Sequence, residues 1–384
     1  MDFYKDFDLY LTAVVDSIKR ALYERHNDIF DRIDFYNDNI YLEPLLYAYL
    51  NQTDNKWLDC IIYGYSTEKQ SKIKVFSNHE GVIFLPKIGY FITNKPDSTI
   101  VLNTDEDQYM LEYMGEALLY TFEPLLYLPN NIEILKYQHP LFEPFFINDN
   151  GVSTDLKISE VYKGHISHIK KALQILKECN RQHYNLLKKT LKRIMLYTAH
   201  EPNSFAVLGA HNMIFLNVNT WDNEMFFVDH LSHEGAHVTF NTITYESKYE
   251  LFNVNYNAKF SEVSGRTGEH SSVYLRFHGL FTFFEITKSL KSCMVNKHLS
   301  AKNIHGARGR FAFQLKRFQT SLNGFEGLDI FKTEGQLWFN LFYKECLKLN
   351  NEHGEVKTQY NLSGQSYDFN SKVFEELNPI IGLQ

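Results

Sequence analysis

The sequence is poor in several features, and each shortage excludes something. Only four cysteines occur among 384 residues, Cys60, Cys179, Cys293 and Cys346. They lie too far apart for a CxxC pair or a dense disulfide framework, so a reducing, cytoplasmic setting is expected. Positive charge is not in excess: 39 Lys+Arg face 46 Asp+Glu, and a net charge of −7 has the wrong sign for gripping nucleic-acid phosphates. No window approaches the ~18 uninterrupted apolar residues of a membrane span. The opening Met1-Asp2-Phe3-Tyr4-Lys5-Asp6-Phe7-Asp8 puts acids where a secretory signal carries positive charge. Internal repeats, low-complexity stretches, a Gly-rich phosphate loop and a Ser nucleophile elbow are also lacking.

What the sequence does have is apolar material, 44% hydrophobic and 15% aromatic, enough for a large core over a length that suggests two domains. Residues 2–36 carry Phe7, Leu11, Val14, Val15, Ile18 and Leu22 at helical spacing and predict an amphipathic helix. From about 56 to 104 the pattern becomes short β-rich runs, Asp59–Tyr63, Ile73–Phe76, Gly81–Leu85 and Gly89–Ile92, separated by turn residues, which predicts a small antiparallel sheet. The Asn/Asp/Gly cluster at 148–151 is the best boundary, dividing an N-terminal α+β region (1–150) from a second domain (151–384). In the second, 155–197 reads as helical. Phe205–Leu208 and Met213–Val218 read as a strand pair turned at Gly209–Asn212, and 222–240 as a helix. The fold class expected is α+β, mainly helical.

The sharpest signal is His233-Glu234-Gly235-Ala236-His237, an HExxH motif. On a helix, positions i and i+4 share a face, so both imidazoles can bind one metal ion with Glu234 beside it. This composition yields about 0.04 such matches by chance. Its setting, a strand pair followed by the motif helix, is that of zincin-like metal domains. A third ligand decides the chemistry. The long metzincin continuation fails, because Phe240 and Ile243 stand where it needs Gly and His. Glu250, Glu262, Glu269 and Glu285 are available by residue type for a peptidase-like site. His278, inside the nearly all-apolar segment Tyr274–Phe284, is the imidazole candidate, with His270 behind it.

Three blocks together, His233-Glu234-x-x-His237, then Arg276-Phe277-His278-Gly279-Leu280-Phe281-Thr282-Phe283, then Phe331-Lys332-Thr333-Glu334-Gly335-Gln336-Leu337-Trp338-Phe339, resemble the HExxH-type peptide β-hydroxylases. These are iron and 2-oxoglutarate-dependent enzymes of ribosomally made, modified peptides. The resemblance covers about 200–345. It implies a zincin-like scaffold turned to oxygen chemistry, with His233, His237 and His278 as Fe(II) ligands, 2-oxoglutarate and O2 as cosubstrates, and a precursor peptide as substrate. Imidazole suits iron and zinc alike. The alternative is therefore a zinc metallopeptidase in which Glu234 is the general base; in the hydroxylase Glu234 supports a ligand or orients substrate.

A 2-oxoglutarate enzyme needs a cation for the distal carboxylate, and Arg binds carboxylate bidentately. If 303–324 is a helix, Arg308 falls on the stripe of Phe311, Leu315, Phe318 and Leu322 and is the first choice, with Arg310 and Arg276 behind it. Asp229, one turn before His233, is placed to accept a ligand N–H or to lie at the surface. Gly235 costs the helix about 1 kcal/mol relative to Ala, which signals a close approach by substrate backbone or by a neighbouring helix. His79-Glu80-Gly81 lacks the second His, and His165 and His168 on a Lys-rich helix read as a solvated face.

Overall fold

In chain order the elements are α1 (Phe7–Arg25), α2 (Ile29–Arg32), α3 (Asp38–Tyr41), α4 (Pro44–Leu50), α5 (Leu58–Ile62), β1 (Lys72–Phe76), β2 (Val82–Leu85), β3 (Gly89–Ile92), β4 (Thr99–Asp105), β5 (Gln108–Tyr113), β6 (Glu116–Leu118), β7 (Thr121–Pro124), β8 (Leu126–Tyr127) and β9 (Glu133–Leu135). They continue with α6 (Val161–Cys179), α7 (Arg181–Thr190), β10 (Arg193–Tyr197), β11 (Met213–Asn217), α8 (Glu224–Ile243), α9 (Phe260–Ser264), α10 (Val273–Met294), α11 (Ala301–Asn323), α12 (Thr333–His353), α13 (Val356–Gln359) and α14 (Ser371–Leu377). The structure, a computed structural model, describes residues 3–105, 108–148, 150–266, 268–366 and 368–380. Helix occupies about 51% of the chain and strand 16%, so the class is α+β and mainly helical. Among the described residues no helix is long and apolar enough to cross a membrane.

Two compact units form, and neither is one stretch of chain. One contains 1–13, 164–190 and 218–384; the other contains 14–163 and 191–217. The sequence reading cuts the chain once near 150. Compactness divides it inside α1 and gives 191–217 to the β-rich unit.

The β-rich unit holds three sheets. Antiparallel β1-β4-β5-β6 and β2-β3-β7 correspond to the expected small antiparallel sheet, and their inward faces share a core of Val75, Ile83, Leu85, Phe91, Ile100 and Leu102. The third has the order β11-β10-β9-β8, parallel across β11, β10 and β9, with antiparallel β8 at its edge. Here several sequence expectations are corrected. Asp59–Tyr63 was expected to be a strand and instead lies in α5 and a following 3-10 turn; its run of apolar residues carries no period that separates strand from helix. The helix expected over 155–197 breaks at Asn180 and ends at Thr190, because Arg193–Tyr197, buried at every position, pairs on both sides as a central parallel strand. The hairpin expected over 205–218 is absent. Phe205 makes one isolated antiparallel bridge to Phe215, 208–210 is a 3-10 turn, and β11's strand partner is β10.

The second unit is helical. α10 packs against both α8 and α11, with α7 on α8 and α12 on α11 and α10. Its interior is aromatic: Phe240 stacks on Phe281 (4.9 Å between centroids) and meets Trp338 edge-on (5.5 Å), while Phe277 meets Phe331 and Phe342. Such pairs add roughly 0.5–1.5 kcal/mol beyond the area they bury.

Candidate metal centre

The helix that carries the motif is capped by Asn223, whose Oδ1 accepts from the backbone N–H of Met225 (3.0 Å) and Phe226 (3.4 Å), with Glu224 favourable in the positive first turn. Nearly every residue from Glu224 to Ile243 is buried, so α8 runs through the unit's interior. Gly235 is explained by packing: a Cβ there would lie 2.2 Å from Leu187 Cδ2 and 3.5 Å from His183 Nε2, both on α7. The close approach is a neighbouring helix. α10 starts at its own cap, Ser272 Oγ accepting from Leu275 N (3.1 Å), and brings His278, 2% exposed, across to α8.

His233, His237 and His278 are brought together. The His237 and His278 rings are 4.5 Å apart with Nδ1 of one 3.1 Å from Nε2 of the other, and the His233 and His237 rings are 5.1 Å apart. Among the described residues no group of three or more His, Cys, Asp or Glu is arranged to hold a metal ion as it stands; His237 and His278 hydrogen-bond to each other. Two of the three pairs, His233 with His237 and His237 with His278, nevertheless have spacings that imidazoles on one ion could share. With metal–nitrogen bonds of 2.0–2.1 Å at angles of about 90–110°, ligating nitrogens lie about 2.9–3.4 Å apart and ring centroids about 4.5–5.2 Å apart. Both centroid separations and the nitrogen contact fall within those ranges.

Electrostatics favour the neutral ligand form. Burial brings His237 down to about 4. Burial also drives His233 well below its ordinary value, with further contributions from His237, Arg317, His230 and His278. Unprotonated imidazoles keep the lone pairs that a metal needs. Phe240 (5.1 Å) and Tyr274 (5.5 Å) flank His278 and shield it from water.

Three of the four candidate carboxylates are engaged elsewhere, and the fourth, Glu262, is exposed. Glu285, fully buried two turns along α10, receives the Tyr4 hydroxyl and Asn180 Nδ2 (3.1 Å) and lies 3.6 Å from His183 Nδ1. Glu250 pairs with Lys332 (3.0 Å) and Glu269 with Arg276 (3.4 Å). Glu262 lies on α9 and His270 is exposed. Glu234 is buried beside His233.

The arginines require a correction. Arg308 is exposed. At about 100° per residue Arg308 lies between the directions of Leu315 and Ala312, both buried, but it sits nearer the N-terminal end of α11, where Ala301 and Lys302 are exposed as well. Arg310 is 1% exposed, but Asp229 Oδ2 accepts from its Nη1 (2.7 Å), Ser371 Oγ from its Nη2 (2.7 Å), and Phe369 covers its face (4.7 Å). Asp229 is thereby a buried partner of Arg310 and Gln314 (3.2 Å), and neither a surface residue nor a support for a ligand His. The cation whose charge reaches His233 is Arg317, held between Phe283 (5.2 Å) and Phe313 (5.4 Å). Arg317 lies off the apolar stripe that singles out Arg308, but positions 310, 314 and 317 form one helical row that points to it.

Of the discounted histidines, His165 and His168 differ from the solvated face expected of them, while His79 lies where it was expected. His165 is buried against Phe227 (5.5 Å), and His168 faces Glu224 (3.1 Å), which also receives Lys171. His79 and Glu80 sit exposed in a turn.

No family model matches this chain, and no curated protein sequence matches it. The geometry of three imidazoles therefore stands on its own as the ground for a functional reading.

Proposed function

We propose that the chain is an Fe(II)/2-oxoglutarate-dependent hydroxylase acting on a β-carbon in a ribosomally made precursor peptide, through a zincin-like centre in its helical unit. The observation that carries this reading is the contact of His278 with His237, an imidazole where a peptidase-like site would bring a Glu. Iron with 2-oxoglutarate and O2 supplies oxidative decarboxylation to succinate and CO2 and transfer of one oxygen atom to carbon. His233, His237 and His278 hold the ion in neutral form. Phe240 and Tyr274 keep bulk water from its ligands, and Glu234 supports a ligand or orients substrate beside His233. Arg317, whose charge acts on His233, takes the distal carboxylate. The β-rich unit holds the peptide; Met110, Met114, Leu119 and Phe122, exposed on β5, β7 and the connections around β6, offer apolar surface for it. A cytoplasmic setting follows from this reading.

The test is anaerobic reconstitution with Fe(II), then 2-oxoglutarate, O2 and a co-encoded small peptide. Expected are a 2-oxoglutarate-dependent mass gain of one oxygen atom and stoichiometric succinate. His278→Ala abolishes both and Arg317→Met raises the 2-oxoglutarate requirement at least tenfold. Peptide cleavage with zinc and no cosubstrate, lost in Glu234→Gln, would instead establish the metallopeptidase.

A further inference from the structure

Four cysteines that are scattered in sequence do not stay scattered in space. Cys179 is the last residue of α6, and Cys293 is the penultimate residue of α10, 114 positions later in the same compact unit. One residue joins the two helix ends: Asn296, whose N–H closes a turn onto Cys293 O (3.2 Å), sends its side-chain amide to Cys179 Sγ (3.4 Å). Each thiol also shifts the titration of the other, as neighbouring sulfurs do. The two sulfurs differ in setting. Cys179 is partly exposed at a helix end, whereas Cys293 is fully buried. Of the remaining cysteines, Cys60 donates to Lys74 O (3.2 Å) in the other unit and Cys346 lies inside α12 near Asn350.

We propose that Cys179 and Cys293 form a peroxide-reactive dithiol, with Cys179 as the attacking sulfur and Cys293 as the resolving one. The Cys179 thiolate attacks one oxygen of hydrogen peroxide; an S–O bond forms, the O–O bond breaks, and the departing hydroxide leaves as water after taking a proton. Cys293 Sγ then attacks Cys179 Sγ, the S–S bond forms as the S–O bond breaks, and a second water departs with the Cys293 proton. Two sulfurs give up two electrons, and one peroxide becomes two waters. The asymmetry suits these roles. The neighbouring Cys293, aided by Asn296, brings the Cys179 thiol down to about 7 against the opposing effect of burial. The Cys293 thiol, beside Cys179 and buried, is pushed far up. A thiol with a pKa near ambient pH, open to solvent and beside a second thiol, has the setting of a redox-sensitive site. The inference depends on neither the metal nor the hydroxylase reading.

The full-length chain is treated with a small excess of hydrogen peroxide, denatured, alkylated and weighed. Expected is a loss of 2 Da, a fall from four alkylatable thiols to two, a tryptic cross-link joining 179 to 293, and recovery of all four thiols with dithiothreitol. In Cys293→Ser the intermediate cannot be resolved, so Cys179 is trapped by dimedone and the 2 Da loss disappears. The wild-type peptide map needs no variant and holds even if Cys293→Ser folds poorly. A cross-link through another pair overturns the proposal, as does oxidation of Cys179 to sulfinic acid without a cross-link, or four unreacted thiols.

Discussion

Arg310→Met is the substitution whose consequence the structure specifies most closely. Arg310 and Asp229 are 1% and 3% exposed at their side chains, joined at 2.7 Å. Met approximates the apolar stem of Arg and keeps contact with Phe369, so the change removes the charge and two hydrogen bonds without opening a large cavity. Asp229 is then left buried with Gln314 Nε2 at 3.2 Å as its remaining described partner, and Ser371 loses the guanidinium. Removing one partner of a buried ion pair costs about 3–5 kcal/mol, because the other charge stays desolvated. For a compact unit of roughly 200 residues, each kcal/mol shifts the melting midpoint by about 2–4 °C, so a fall on the order of 10 °C is expected. Urea unfolding followed by the fluorescence of buried Trp338 measures it. Arg310→Met/Asp229→Leu should recover most of the loss, so the coupling energy in the double-mutant cycle should exceed the cost of Arg310→Met alone. If Arg310→Met unfolds within 1 kcal/mol of wild type, the pair is not desolvated, and the reason for denying Arg310 a ligand-binding role goes with it.

Other expectations are simpler. Arg308→Ala, at an exposed site on α11, should change stability by no more than about 0.5 kcal/mol in the same urea assay. Gly335→Ala should destabilise by about 1–3 kcal/mol despite the helix propensity of Ala, since its Cβ would sit 2.0 Å from the backbone oxygen of Leu251; a circular-dichroism melt at or above the wild-type midpoint contradicts this. In the β-rich unit, burial lowers His139 to about 3 and His211 to about 4. Both are neutral when folded and bind protons below about 6.5 when unfolded, so stability falls as pH drops from about 6.5 towards those values. His139→Asn keeps an acceptor for Leu141 N and should flatten that slope; an unchanged slope between pH 6.5 and 4 removes His139 from the account.

The residues themselves show which parts of this structure are legible in sequence. The motif helix and the His278 helix are legible as long apolar runs around the motif, and α11 as an apolar stripe, but that three histidines on two of these helices meet is shown only by the packing of α10 on α8. Arg308 fails because a shared stripe does not fix burial along the whole length of a helix: the residue lies about 60° from Phe311, between the directions of buried Leu315 and Ala312, yet it is exposed near the N-terminal end of α11. Arg193–Tyr197 fails for another reason. A buried parallel strand has no alternation to read, and its partners are set by segments some 20 to 60 residues away in sequence. The Cys179–Cys293 pair is equally silent in sequence, since only the meeting of two helix ends creates it.

Tyr4 hydrogen-bonds Glu285, a carboxylate with no exposure at all, across a separation of 281 residues. During synthesis at about 5–20 residues per second, Tyr4 waits roughly 15–60 s for that partner to emerge. The helical unit therefore cannot close while the chain is growing through its β-rich insert, and its first segment must remain available to close it at the end. Loss of the Tyr4 hydroxyl would thus be felt at a buried acid on the same helix as His278.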